Sequence, residues 1–177
     1  GRLDTYINNA GFSAWRSIGN IDEEFLNNVL DTNLKGVFWG CKSALSVMQA
    51  GANIVNVSSI AGKRGSSNNS AYCSSKFAVN AVTQSLAKEV GKQNIRVNAV
   101  CPVIVPTEGL IEALDEPESP AYGNIDGFID NFRKTQAALP ELPTGEEIGK
   151  ACLFLASDDA SAVTGQCINV DCGVFPQ

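Results

Sequence analysis

Two hydrophobic periods alternate along this chain, and each change of period marks a change between strand and helix. Leu3 to Gly11 predicts a short strand that ends in the turn-forming run Asn8-Asn9-Ala10-Gly11. Ile21-Asp22-Glu23-Glu24 predicts a helix start, with carboxylates in the first turn where the dipole favours them, and Phe25, Val29 and Leu30 follow at helical spacing. A second long helix is predicted from about Asn33, with Leu34, Val37, Phe38, Cys41, Leu45 and Met48 on its apolar face. Ile54, Val55 and Val57 form a β-branched run that breaks at Ser58-Ser59, the pattern of a buried strand leaving its sheet. After a polar loop from Lys63 to Ser70, helical spacing returns from about Ala71 to Val90. Ile95 to Cys101 alternates as a strand and stops at Pro102. Thr144-Gly145-Glu146-Glu147 opens a last helix, in which Ala151, Leu153, Phe154 and Leu155 are predicted to pack inward, and Cys167 to Asp171 closes the series as a strand. Open α/β sheets bind ligands at the carboxyl ends of their strands, which is where Ser58 and Ser59 fall.

Composition narrows the partners. The 177 residues suffice for one domain with a real core, and 44% apolar with 18% charged residues is the balance of a soluble globular protein. A formal charge of −6 argues against nucleic acid or an anionic membrane surface as a partner. No apolar run approaches the length of a spanning helix and the first residues lack a signal-peptide pattern, so the expectation is a cytoplasmic protein. Cys41, Cys73, Cys101, Cys152, Cys167 and Cys172 are scattered through apolar or helical contexts without a Cys-x-x-Cys, which predicts buried free thiols and no metal site. The absence of His removes the commonest general base, leaving Tyr, Lys or a carboxylate for any proton transfer.

Tyr72 and Lys76 lie one turn apart on one face of the predicted helix. Such a pair is often only a solvated surface couple. It also has a chemical use, because an ammonium about 4 Å from a phenol at an effective dielectric of about 20 is worth roughly 4 kcal/mol, enough to bring phenol ionisation towards neutral pH. Ser59, Tyr72 and Lys76 together resemble the active site of the short-chain dehydrogenase/reductase family, and the resemblance spans essentially the whole chain.

The resemblance implies a Rossmann-like, doubly wound parallel sheet whose N-terminal half, with its Gly-rich phosphate loop, is missing from this sequence. It implies hydride transfer between NAD or NADP and a small-molecule carbonyl or secondary alcohol, with Ser59, Tyr72, Lys76 and Asn33 as the catalytic set. Asn33, in Asp31-Thr32-Asn33-Leu34-Lys35-Gly36, matches the residue that holds a relay water against the active-site Lys and lies in the expected place; a cap or boundary role between the two helices is the alternative. Asn9, Ala10 and Gly11 match a cofactor-adjacent turn. Val105 and Thr107 match the nicotinamide contacts, in a segment where Val103 replaces the family's Gly and an altered turn is expected. Glu108 to Pro143 matches a substrate lid, with an amphipathic piece at Ile125, Phe128, Ile129 and Phe132. Cys172 stands where relatives commonly have Gly, and is expected to be a small-residue substitution, not a nucleophile. A homodimer or homotetramer is implied as well. A truncated, non-catalytic paralogue acting as a binding or regulatory subunit is the competing expectation.

Overall fold

A computed structural model describes residues 1–176. Four strands, β1 (Leu3–Asn8), β2 (Met48–Val57), β3 (Arg96–Pro102) and β4 (Cys167–Val170), form one parallel sheet in the order β1-β2-β3-β4. Parallel neighbours require crossovers, and helices supply all three. Between β1 and β2 run α1 (Glu23–Leu30) and α2 (Gly36–Leu45), joined by a π turn over Asp31–Lys35. Between β2 and β3 runs α3 (Ser70–Val90), and between β3 and β4 run α4 (Glu108–Leu114), α5 (Ile125–Gln136) and α6 (Gly145–Ala156).

Strand alternation distributes the core to both faces. Ile54 and Val97 pack with Val37, Cys41 and Ala44 of α2 and with Val79, Ala87 and Val90 of α3. Val55 and Val100 turn the other way, onto Cys152 and Leu155 of α6. Side chains satisfy the ends of several helices. Asp22 caps α1, Thr144 and Glu147 form a capping box on α6, and the Arg96 guanidinium donates to the Leu155 and Ser157 carbonyls at 2.7 and 3.0 Å.

Beneath the carboxyl ends of the strands lies a buried polar relay. The Asn8 amide donates to Asn56 Oδ1 at 2.8 Å, the Asn56 amide to Thr83 Oγ1 at 2.9 Å, and Thr83 Oγ1 to the Val79 carbonyl at 2.9 Å, tying β1, β2 and α3 into one unit. Gly40 lets α2 approach this relay, since a Cβ there would collide with the Asn8 side chain and meet the Tyr6 ring at 3.0 Å.

Several expectations need correction. Met48 belongs to β2 and not to the preceding helix, which ends at Leu45. Phe38 is 52% exposed, because Val37, Cys41 and Ala44 take the inward face of α2. In α6 the inward residues are Cys152 and Leu155, while Leu153 and Phe154 are 69% and 45% exposed on the opposite side. Among the described residues, no helix is long and apolar enough to cross a membrane.

Candidate active site

Because the sheet is parallel, the segments leaving β1, β2 and β3 emerge at one edge. There they line, with α3 and the segment from α4 to α6, a cavity of about 700 Å³. Asn9, Gly11, Ser59, Tyr72, Lys76, Val105 and Thr107 all contribute to it. Ala10 does not line it, and Asn33 sits behind the wall.

Ser59 ends the extended chain of β2 and caps the short turn Ile60–Gly62, its Oγ accepting from the Ala61 N–H at 3.1 Å and donating to the Pro102 carbonyl at 3.4 Å. Tyr72 lies in the first turn of α3. Burial pushes its phenol pKa up, and the hydroxyls of Ser59 and Ser13 at the phenol partly offset this. Lys76, 5% exposed, donates from Nζ to the Val57 carbonyl at 3.0 Å and stands 5.8 Å from the centre of the Tyr72 ring. Burial lowers its pKa to about 8. The sequence suggested an ammonium close enough to bring Tyr72 down. Instead Nζ is engaged by the end of β2, and burial of the phenol sets the direction of its shift.

Asn33 is fully buried within the π turn. Its Oδ1 accepts from the Phe12 N–H at 3.0 Å, and its Nδ2 donates to the Phe12 carbonyl at 2.9 Å and to Ser75 Oγ at 3.2 Å. The side chain is thus spent on the loop after β1 and on α3, and makes no hydrogen bond to Lys76 among the described residues. Gly11 stands between the two, since a Cβ there would lie 3.0 Å from Asn33 Oδ1 and 3.3 Å from Lys76 Nζ.

Thr107 caps α4, accepting from the Leu110 N–H at 3.4 Å, which leaves its own hydrogen available to a ligand. Lys76 Nζ has one protein acceptor, so the remaining N–H groups of this buried ammonium can hold ligand hydroxyls. With Asn9 and Gly11 at the cavity, this donor set fits the nicotinamide and ribose of a dinucleotide. Val103 needs no left-handed backbone: the non-glycine residues in that region are Asn68, Asn94 and Cys172, so the substitution for Gly is accommodated without strain. Cys172 does occupy a position that favours glycine, with φ 54°, and burial together with Glu147 and Asp171 raises its thiol pKa, against a role as nucleophile.

Ser13, Phe12 and Trp15 were not singled out from the sequence, although they directly follow the Asn-Asn-Ala-Gly turn. Glu118 was also missed. From the segment joining α4 and α5 its carboxylate accepts from the Ser17 N–H at 2.8 Å and from Asn20 Nδ2 at 3.0 Å, while its carbonyl accepts from Asn68 Nδ2 at 3.3 Å. This clasp fastens that segment across the cavity.

Over residues 1–175 the chain matches the protein family described as enoyl-(acyl carrier protein) reductase. It is 34% identical to the 3-oxoacyl-[acyl-carrier-protein] reductase FabG of Chlamydia muridarum, over 98% of this chain and 66% of that protein. It is 39% identical to the 3alpha-hydroxysteroid dehydrogenase of Mediterraneibacter gnavus, over 97% of this chain and 64% of that protein. A crystal structure titled short-chain dehydrogenase/reductase SDR:glucose/ribitol dehydrogenase, from Brucella melitensis, superposes with a TM-score of 0.88 at 30% identity, covering 100% of this chain and 67% of its own. The chain thus spans about two thirds of the length of the relatives it matches.

Proposed function

The chain belongs to the short-chain dehydrogenase/reductase family, and on that premise we propose that the protein transfers hydride between NAD or NADP and a ketone or secondary alcohol. The observation that carries this is the convergence of Ser59, Tyr72 and Lys76 on one cavity at the carboxyl edge of a parallel sheet. The nicotinamide, when bound, supplies or accepts the hydride. The protein's own groups handle the proton and the charge. Tyr72, with its pKa raised, is protonated at neutral pH and so is poised as a general acid that donates to the substrate oxygen during reduction. The Ser59 hydroxyl supports the same oxygen as negative charge develops on it. Lys76 holds ribose hydroxyls with its free N–H groups and, protonated, stabilises the tyrosinate left behind. Asn33 is a positioning residue that clamps Phe12 and thereby sets Ser13 beside the phenol. A relay water beside Lys76 would have to use the Asn33 backbone, because the side chain is occupied.

Phe38 and Trp39 on α2 and Phe77 on α3 are exposed aromatics that favour a homo-oligomer built on these two helices. Replacing Tyr72 by Phe removes the proton but keeps the ring. Turnover should fall by on the order of 10³-fold while cofactor affinity stays within about twofold. Turnover that survives the change would overturn the assignment.

A further inference from the structure

Three buried amides near the active site have both ends engaged. Asn33 is spent on Phe12 and Ser75, Asn56 on Asn8 and Thr83, and Asn80 on the Gly62 carbonyl at 2.9 Å and the Cys101 thiol at 3.8 Å. Asn69 is different. It is 5% exposed and lines the cavity, its Nδ2 donates to Ser66 Oγ at 3.2 Å, and its Oδ1 has no partner among the described residues. Asn53 and Asn169 also carry a buried, unmet Oδ1, but neither lines the cavity.

Local structure offers this oxygen a partner that it does not take. Asn69 is the N-cap residue of α3, where an Asn carbonyl ordinarily accepts from an N–H of the first turn, as Asn124 does from Gly127 at 3.1 Å on α5. At Asn69 that bond is not made. An unmet buried acceptor costs stability, so one kept at the wall of a reactive cavity calls for an explanation, and a ligand supplies it. Asn69 precedes Tyr72 by three residues, one turn away on the same side of α3, within reach of a molecule whose oxygen meets the phenol. We propose that Asn69 is a specificity-determining residue, whose Oδ1 takes a hydrogen bond from a donor that the substrate carries beyond its reacting carbon, a hydroxyl or an amide N–H. This rests on the cavity being the site of hydride transfer. A carboxylate at the same place would set one acceptor against another, and a hydrocarbon would leave the oxygen bare. Sites built around such a bond reject the analogue that lacks it.

Two pairs of ketones test this by binding. One is 4-hydroxy-2-butanone with its methyl ether, the other N-(3-oxobutyl)acetamide with its N-methyl form, and within each pair the donor is lost. Amide NMR follows the Asn69 side chain, assigned by its absence from Asn69→Asp. The parent should bind the donor-bearing member of at least one pair about tenfold more tightly than its capped analogue, and the pair that discriminates identifies hydroxyl or N–H as the source. The Asn69 signals should move with that ligand and stay in place with the analogue. Asn69→Leu should bring the ligand to the affinity of the analogue, whose own binding stays within about twofold and reports a folded protein. Asn69→Asp keeps an acceptor and should keep the preference. Absence of binding, equal binding within both pairs, Asn69 signals indifferent to the ligand, or a preference that survives Asn69→Leu or is lost in Asn69→Asp would each overturn the proposal. The expected preference without hydride transfer to any of these ketones would instead refute the oxidoreductase function and leave the Asn69 subsite standing.

Discussion

Gly62 is the point where the turn after β2 passes over α3, and its missing side chain makes the crossing possible. A Cβ at Gly62 would lie 2.6 Å from the Lys76 carbonyl oxygen, 2.8 Å from its carbon and 2.8 Å from Asn80 Nδ2, whereas ordinary contact begins at 3.4 Å. Two of the three atoms are helix backbone, which no rotamer change can move aside. Gly62→Ala must therefore push α3 and the turn apart by roughly 0.6–0.8 Å, overpacking that typically costs about 1–3 kcal/mol. The displacement loads the bond from Asn80 Nδ2 to the Gly62 carbonyl at 2.9 Å and that from Ser58 Oγ to the Lys76 carbonyl at 3.2 Å. It also shifts Lys76 and Tyr72 against Ser59, and a misplacement approaching 1 Å is enough to lose on the order of 10²-fold in rate. Urea unfolding measures the stability change, and Gly149→Ala is the matched control: this exposed glycine inside α6 has nothing within 4 Å of a Cβ, so helix propensity alone should stabilise the chain by about 0.5–1 kcal/mol. A Gly62→Ala protein within about 0.5 kcal/mol of the parent would refute the reasoning.

Ser13→Ala removes one of the two hydroxyls that restrain the Tyr72 pKa, so the phenol should ionise at still higher pH. Ultraviolet titration, with Tyr72→Phe subtracted to isolate this phenol, reads the shift, and an unchanged curve would remove Ser13 from the site. For Lys76 the folded pKa of about 8 lies below the ordinary value of 10.5, so between these pH values this group binds more protons in the unfolded chain and its contribution to stability should rise with pH. The rise is about 3 kcal/mol at most, and it should be absent in Lys76→Met; the buried thiols, with Cys101 pushed up to about 11, lower stability from about pH 9 upwards in both proteins, so the difference in urea midpoint between the parent and Lys76→Met from pH 7 to 10 isolates the lysine. Glu118→Ala should open the clasp to Ser17 and Asn20, seen as faster hydrogen exchange in the α4–α5 connection with the sheet unaffected. Equal exchange in the two proteins would show that the lid is held by its apolar face alone.

The features legible in the sequence were those encoded by local spacing. The β-branched run Ile54, Val55 and Val57, the turn at Asn8 to Gly11 and the helical step from Tyr72 to Lys76 each fix a strand end or a helix face, and parallel pairing then brings these ends to one edge. Phe128 and Phe132 were placed on one face of an amphipathic helix, but that this face closes a cavity depends on where α5 lies. Partners distant in sequence were not legible. Asn33 reads as a boundary residue or a catalytic one, and only the fold shows its amide spent on the Phe12 backbone inside a π turn. The direction of the Tyr72 pKa failed for a related reason: the Lys76 charge is visible in the spacing, whereas the desolvation that raises the phenol pKa comes from the surrounding packing. Leu153 and Phe154 failed because an apolar stretch in α6 does not declare which of its sides meets the sheet.

The most direct test follows the hydride itself. The protein is incubated with a ring ketone and a reduced nicotinamide cofactor doubly deuterated at the nicotinamide C4, and the alcohol product is examined by mass spectrometry. Tyr72 as the proton donor in a hydride-transfer site predicts one deuterium on the carbinol carbon, with product formation nearly abolished by Tyr72→Phe. Product without the label, or labelled product formed equally well by Tyr72→Phe, would contradict it.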